Sequence, residues 1–216
     1  MSRTLTRIFT LGVLMALPRA VEAGPPLICH SFDAGTATLL PWGNGPGWNT
    51  PDHSYDVQRL AGDAMRLLSA DAPVLARMEN LRRATIYASR DRQVAAELLT
   101  AVLGRALSAA VEGGRDSLAW FDAGYLIESY RQKEWADQFL RHESRSTAEG
   151  APSLPSGPGG LDGYRLVQKA LELVGSSPEM EFAASLMTTG PVSAEHRRRA
   201  TSGAKAGSPL AKNLSR

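Results

Sequence analysis

The chain has 216 residues, 43% of them hydrophobic, with four histidines, one cysteine and a formal net charge of +2. That length supports one domain with a real core. A balance this close to neutrality gives no clustered positive field and so no general affinity for nucleic acid, and a single cysteine excludes an intramolecular disulfide.

In chain order, Arg3 and Arg7 precede a short apolar run, Leu11–Leu17, and Val21-Glu22-Ala23 forms a small-x-small cleavage site. This is the layout of a secretory signal peptide over residues 1–23, and the run is far shorter than the roughly 20 residues that span a bilayer. Cleavage leaves Gly24–Arg216 and removes Arg3, Arg7 and Arg19 against Glu22, so the mature chain is nearly neutral. No later segment reads as a membrane span. Arginine outnumbers lysine and alanine is abundant, the usage of a high-GC bacterial genome, so the expected address is periplasmic or extracellular. Leu27-Ile28 ahead of Cys29 does not match the small residues a lipoprotein signal wants.

Residues 24–53 form an irregular arm. Pro25, Pro26, Pro41, Pro46 and Pro51 forbid a continuous helix, Gly43-Asn-Gly-Pro-Gly47 reads as turns, and Leu39, Leu40, Trp42 and Trp48 are its expected anchors. The helical domain follows over 54–192. Val57, Leu60, Ala61, Ala64, Met65 and Leu68 share one face, with Ser54 or Asp56 as cap. After the break at Asp71-Ala-Pro73, a second helix turns Val74, Met78, Leu81, Thr85 and Ala88 inward and Arg77, Arg82 and Arg83 mainly outward. A third carries the strongest period, from Val94 through Leu98, Val102 and Ala106 to Ala110, and stops at Gly113-Gly114. A fourth, about Asp116–Glu134, is apolar nearly all round and therefore central, and Trp135–His142 extends it or forms a short helix of its own. Residues 144–163, rich in Pro, Gly and Ser, read as a flexible loop. A fifth helix covers Tyr164–Val174. The sixth starts at the Ser177-Pro178-Glu179 signal and stops at Gly190-Pro191.

The tail, 193–216, sets Arg197, Arg198, Arg199, Lys205, Lys212 and Arg216 against Glu195. It reads as a solvated, frayed end with one short helix near Ala194–Thr201. No alternating run supports a sheet. The expected fold class is all-α, a helical bundle or a short array of antiparallel helix hairpins.

Gly124-Tyr125 and Gly163-Tyr164 repeat a Gly-Tyr pair 39 positions apart, and Ala170-Leu-Glu-Leu173 precedes a Pro-marked turn. On these residues Tyr164–Met187 resembles the helix-turn-helix of tetratricopeptide-type repeats, without their Trp-x-x-Leu-Gly-x-x-Tyr core or a clean period of about 34 residues. The resemblance implies a hairpin array that binds peptides or proteins. The chain as a whole resembles uncharacterised exported helical proteins of bacteria.

For chemistry, Cys29, His30, Asp33, Asp52 and His53 supply the ligand types of zinc. Adjacent Cys29 and His30 point to opposite sides of an extended segment, so a metal or hydrolytic site needs His53 or His142 brought in by the fold. Cys29 can also link two chains or act as a redox-sensitive thiol. Trp42 and Trp48, on a Gly/Pro loop, suit stacking on a ligand or plugging the end of a bundle. Asp122, inside the apolar fourth helix, requires a partner, expected to be Arg82 or Arg83, while Glu79 with Arg82 and Arg83 reads as a helix-surface pair. No nucleophile elbow, phosphate loop, zinc-protease helix or haem-attachment motif occurs, so no catalytic residue and no cofactor is assigned. The expectation is an exported, non-catalytic binding protein, its partner a protein, a peptide or a second copy. Its expected surface is the grooved side of the second to fifth helices, with Trp42, Trp48, Arg82 and Arg83 in the contact.

Overall fold

The computed structural model describes residues 27–143 and 160–216, with the backbone alone for 135–143. The leader assigned to 1–23 and most of the loop assigned to 144–163 lie outside these residues. Among those described, the protein is all helical and has no strand.

After the arm, a 3₁₀ turn at Val57–Arg59 leads into α1 (Leu60–Leu67). Then come α2 (Val74–Ala88), α3 (Arg92–Val111), α4 (Ser117–Glu143), α5 (Gly163–Val174), α6 (Pro178–Met187), α7 (Gly190–Gly203) and α8 (Pro209–Leu214). The ends sit where local chemistry puts them. The Asp56 carboxylate accepts from the Gln58 amide, Asp91 from Gln93 and Val94, Asp162 from Arg165, and the Ser177 hydroxyl from Met180, with Pro178 in the first turn. Gly114, at φ +72°, returns its amide to the Ala109 carbonyl and closes α3.

Helix α4 is the hub. It packs on α2, α3, α5 and α6, while α1 sits on α2 and α3, and α6 pairs with α7. Phe121, Ala123, Tyr125, Leu126 and Ile127 are fully enclosed, as expected of a helix apolar on all sides. It runs unbroken through Trp135–His142 to Glu143. The Gly-Tyr pairs 39 positions apart meet in space. Gly124 of α4 and Gly163 of α5 face each other so closely that a Cβ on either would press into the other's carbonyl oxygen, and one on Gly124 would stand 3.0 Å from Leu166 Cβ. The repeated glycine is a crossing point between two helices.

The C-terminal tail differs from its expectation. It forms α7 and α8, burying Ala200, Leu210 and Asn213. The Asn213 side chain accepts from the Asp33 amide at 2.9 Å and donates to the Asp33 carbonyl at 2.9 Å, tying the last helix to the start of the arm. The end holds because it has a polar anchor that helical periodicity does not report. Helix α3 has a mean hydropathy of 1.6 over its most apolar eighteen residues, enough by length and composition to cross a membrane, and only 28% of that window is buried.

Candidate functional site

The largest departure from the sequence reading is α2. Arg77, Glu79, Asn80 and Arg82 are at most 1% exposed, against the expected outward arginines and surface ion pair. For Glu79, Asn80 and Arg82 the cause is the arm. An irregular segment has no ladder for its own amides and carbonyls, so other groups must satisfy them, and α2 supplies those groups. Glu79 Oε2 accepts from the Phe32 amide at 3.0 Å. Asn80 accepts from the Leu40 amide at 2.8 Å and donates to the Thr38 carbonyl. Arg82 donates to the carbonyls of Ile28 and Trp48, and Arg83 to that of Leu40. Tyr87 accepts from the Asp52 amide and donates to the Pro41 carbonyl. From α4, Gln132 accepts from the Leu27 amide at 2.8 Å.

Glu79 holds this clamp together, pairing with Arg82 at 2.8 Å and Arg83 at 2.7 Å. Burial alone would raise its pKa, but hydrogen bonds from Arg82, the Phe32 amide and Arg83 outweigh that and hold it below 4.5. Trp42 packs edge-on against Tyr87 at 5.7 Å and lies under both guanidiniums, at 4.9 Å from Arg82 and 5.4 Å from Arg83. Trp48 contributes its carbonyl. Of the four residues expected at a contact surface, the side chains of Trp42, Arg82 and Arg83 thus meet at the seam between arm and α2, which Trp48 joins through its backbone carbonyl and where Arg82 has no exposed surface.

Asp122 is buried as expected, but its partners are Arg77 at 2.6 Å and Arg105 at 3.2 Å, because Arg82 and Arg83 serve the arm. Burial pushes its carboxyl up to about 7 against the pull of both guanidiniums. These arginines close the end of α1. Arg77 donates to the carbonyls of Ser69 and Ala72, and Arg105 to that of Leu68. The network joins α1, α2, α3 and α4 and opens into no cavity among those described.

The Cys/His set of the arm is not brought together. Among the described residues no three His, Cys, Asp or Glu side chains converge as metal ligands would. Cys29 is half-buried, and burial pushes its thiol up to about 11 despite Arg82 and Lys133, so it is a neutral thiol at physiological pH. His53 sits against Arg90, Asp33 is held by Lys212 and Asn213, and Asp52 closes a local turn on Ser54. His142 belongs to the backbone-only stretch. His30 is exposed at the mouth of a cavity of about 120 Å³, with Phe32, Phe182, Leu186, Arg197 and Arg216.

Two further features escaped the sequence. The Tyr164 hydroxyl bonds His196 Nε2 at 2.7 Å, and His196 Nδ1 bonds Glu181, a chain across α5, α6 and α7. With Nδ1–H given to the carboxylate, Nε2 accepts from the phenol. Burial and Glu181 raise the Tyr164 pKa, so the phenol keeps its proton and the chain fastens three helices. Tyr164 also lines an open polar cleft of about 340 Å³ with Glu128, Arg131 and Asp162. There Glu128 pairs with Arg131 and accepts from the Gly163 amide at 3.1 Å. The other feature is the outer side of α3. Val94, Leu98, Val102 and Ala106 face the core, while Ala96, Leu107, Ala110 and Val111 face solvent, with Leu107 61% and Val111 89% exposed. Arg105, the one charged side chain between Glu97 and Glu112, turns towards Asp116 and Asp122.

No protein-family model, no curated protein and no solved structure matches the chain.

Proposed function

We propose that this is an exported, non-catalytic helical protein that acts by binding another protein, and that the contact is the outer face of α3. The observation that carries this is the pairing of high hydropathy with low burial along α3. Apolar side chains scattered singly over a surface need no explanation, whereas a contiguous apolar face marks an interaction site. Here the face spans several turns, includes Leu107 and Val111, and between Glu97 and Glu112 carries no outward charge, only the exposed hydroxyls of Thr100 and Ser108. A rigid helix offering an apolar stripe suits an apolar helix of a partner, laid ridge into groove. The grooved side of α2 is filled by the arm and offers no such surface. Export is supported by the leader-like residues 1–23.

The test is a photo-cross-linking residue at position 107 or 111 in the full-length chain, expressed in a bacterial host that exports it, with position 198 on α7 as control. The expected result is the same protein adduct from both α3 positions and none from the control, lost when Leu103→Glu is added. Equal labelling at all three positions overturns the reading. Pelleting of the purified protein with anionic lipid vesicles through α3, abolished by Leu107→Glu, would assign the face to a membrane surface instead.

A further inference from the structure

We infer that the cavity between the arm, α6, α7 and the C-terminus is a binding pocket for a small carboxylate carrying a short branched apolar group. The argument starts from three consecutive arginines on α7. Arg198 and Arg199 are both taken by Glu195, at 2.7 and 2.9 Å. Arg197 points elsewhere, and its bond is to the Leu214 carbonyl at 2.6 Å. At the far end of the chain, Arg216 bonds the Ser31 carbonyl at 2.8 Å. Neither Arg197 nor Arg216 is in an ion pair within 4 Å among the described residues; the nearby carboxylate, Asp33, is engaged by Lys212 at 3.4 Å and feels Arg216 only at longer range. Both guanidiniums are therefore positioned by neutral acceptors and keep their charge and remaining N–H donors. They line the same cavity, and no carboxylate side chain shares it.

Beside His30, Ser31 and Asn213, the rest of the lining is apolar. Phe32 and Phe182 stand edge to face at 6.0 Å, both largely buried, and Leu186 completes an apolar floor. The polar Asn213 is spent on Asp33 and Pro209. A cationic rim over an apolar floor selects a ligand with an anionic head and an oily body. A bare phosphate would leave the floor unfilled, and a neutral hydrocarbon would leave the guanidiniums unanswered. Arginine takes carboxylates with two parallel N–H···O bonds. The volume sets the tail. A cavity of about 150 Å³ holds benzene, so about 120 Å³ takes a branched side chain of four or five carbons with the carboxylate at the mouth. A short branched acid and the C-terminal leucine or valine of a peptide share that chemistry.

The test is calorimetric or NMR titration of the mature protein with isovalerate, isovaleramide, inorganic phosphate, and a tetrapeptide ending in leucine as its free acid and as its amide. The expected result is saturable binding of at least one of the two carboxylate ligands, weakened about tenfold or more when that carboxylate is made an amide, the scale of a lost charge-assisted hydrogen bond. Arg197→Gln and Arg216→Gln, both at exposed positions, should each weaken it similarly. Leu186→Phe, which fills the floor without touching charge, should abolish it while circular dichroism is unchanged. Binding of the free acid alone, or of the peptide acid alone, names the source. No saturable binding of either carboxylate, equal affinity for acid and amide, or phosphate binding as tightly as the acid overturns the proposal. The pocket shares no residue with α3, so its failure and that of the α3 interface are read separately.

Discussion

Glu79 shows what one residue does when its neighbours are irregular. It answers a backbone amide of the arm and two guanidiniums at once, with no exposed surface. Its carboxylate is held below 4.5 in the fold, so it contributes stability above that pH. The contribution is lost as pH falls through the lower, folded value. Glu79→Gln should therefore cost about 3–5 kcal/mol at neutral pH, because Arg82 is left buried without its counter-charge, and the gap to wild type should narrow in acid. Urea melts of both proteins between neutral pH and pH 3 check this. A gap constant with pH would mean that Glu79 acts by shape alone. None of it was legible at the level of residue spacing. The Glu79–Arg82–Arg83 spacing is the same on a solvated face and in a seam, and only the arm decides between them. Asp122 was legible in part. A carboxylate inside an apolar helix has to be paired, but which arginine reaches it depends on how α2 is rotated.

Elements were read better than residues, because hydrophobic period and caps are local. The breaks at Asp71-Ala-Pro73, Gly113-Gly114 and Ser177-Pro178 fall where the helices begin and end. The tail was misread since α8 is short, and it is fixed by Asn213 across 180 positions of sequence. The Gly-Tyr pair has a spatial meaning that spacing alone does not report. Two glycines placed like a repeat are the two halves of one contact, where α4 and α5 approach more closely than any side chain allows. Gly124→Ala should then force the helices apart and cost at least the about 1–3 kcal/mol of an overpacked core. Gly104→Ala, in α3 with nothing within 4 Å of an added Cβ, should stabilise by about 0.5–1 kcal/mol through helix propensity. Thermal melts of the two variants should move in opposite directions. Parallel shifts would separate the effect from the crossing.

At the scale of the molecule, the bundle and the arm are one cooperative object. The usual expectation for a Gly/Pro-rich N-terminal segment is a dispensable extension, yet here it closes a layer. Leu27, Phe32 and Leu40 join the same apolar core as α2, α4 and α6. Among the described residues, Glu79, Asn80 and Arg82 bond outside α2 only to the arm. Without residues 24–50, Glu79, Asn80 and Arg82 would face water beside newly exposed Tyr87 and Phe182, and Asn213 would lose both its bonds to Asp33. The seam mixes buried charges with apolar floor, so neither half can rearrange to cover the other, and a partly satisfied polar network costs more than none. A chain starting at Pro51 should keep most of its helical circular dichroism, bind a hydrophobic dye such as ANS and lose its sharp thermal transition, the behaviour of a compact state without fixed packing. Adding a synthetic peptide of residues 24–50 in trans should restore part of the transition, since Phe32 and Leu40 bring their own backbone donors to waiting acceptors on α2. A truncated chain that melts as sharply as the whole protein would show that α2 tolerates an open polar face, and that the arm is not the reason why Glu79, Asn80 and Arg82 stand buried together on one helix.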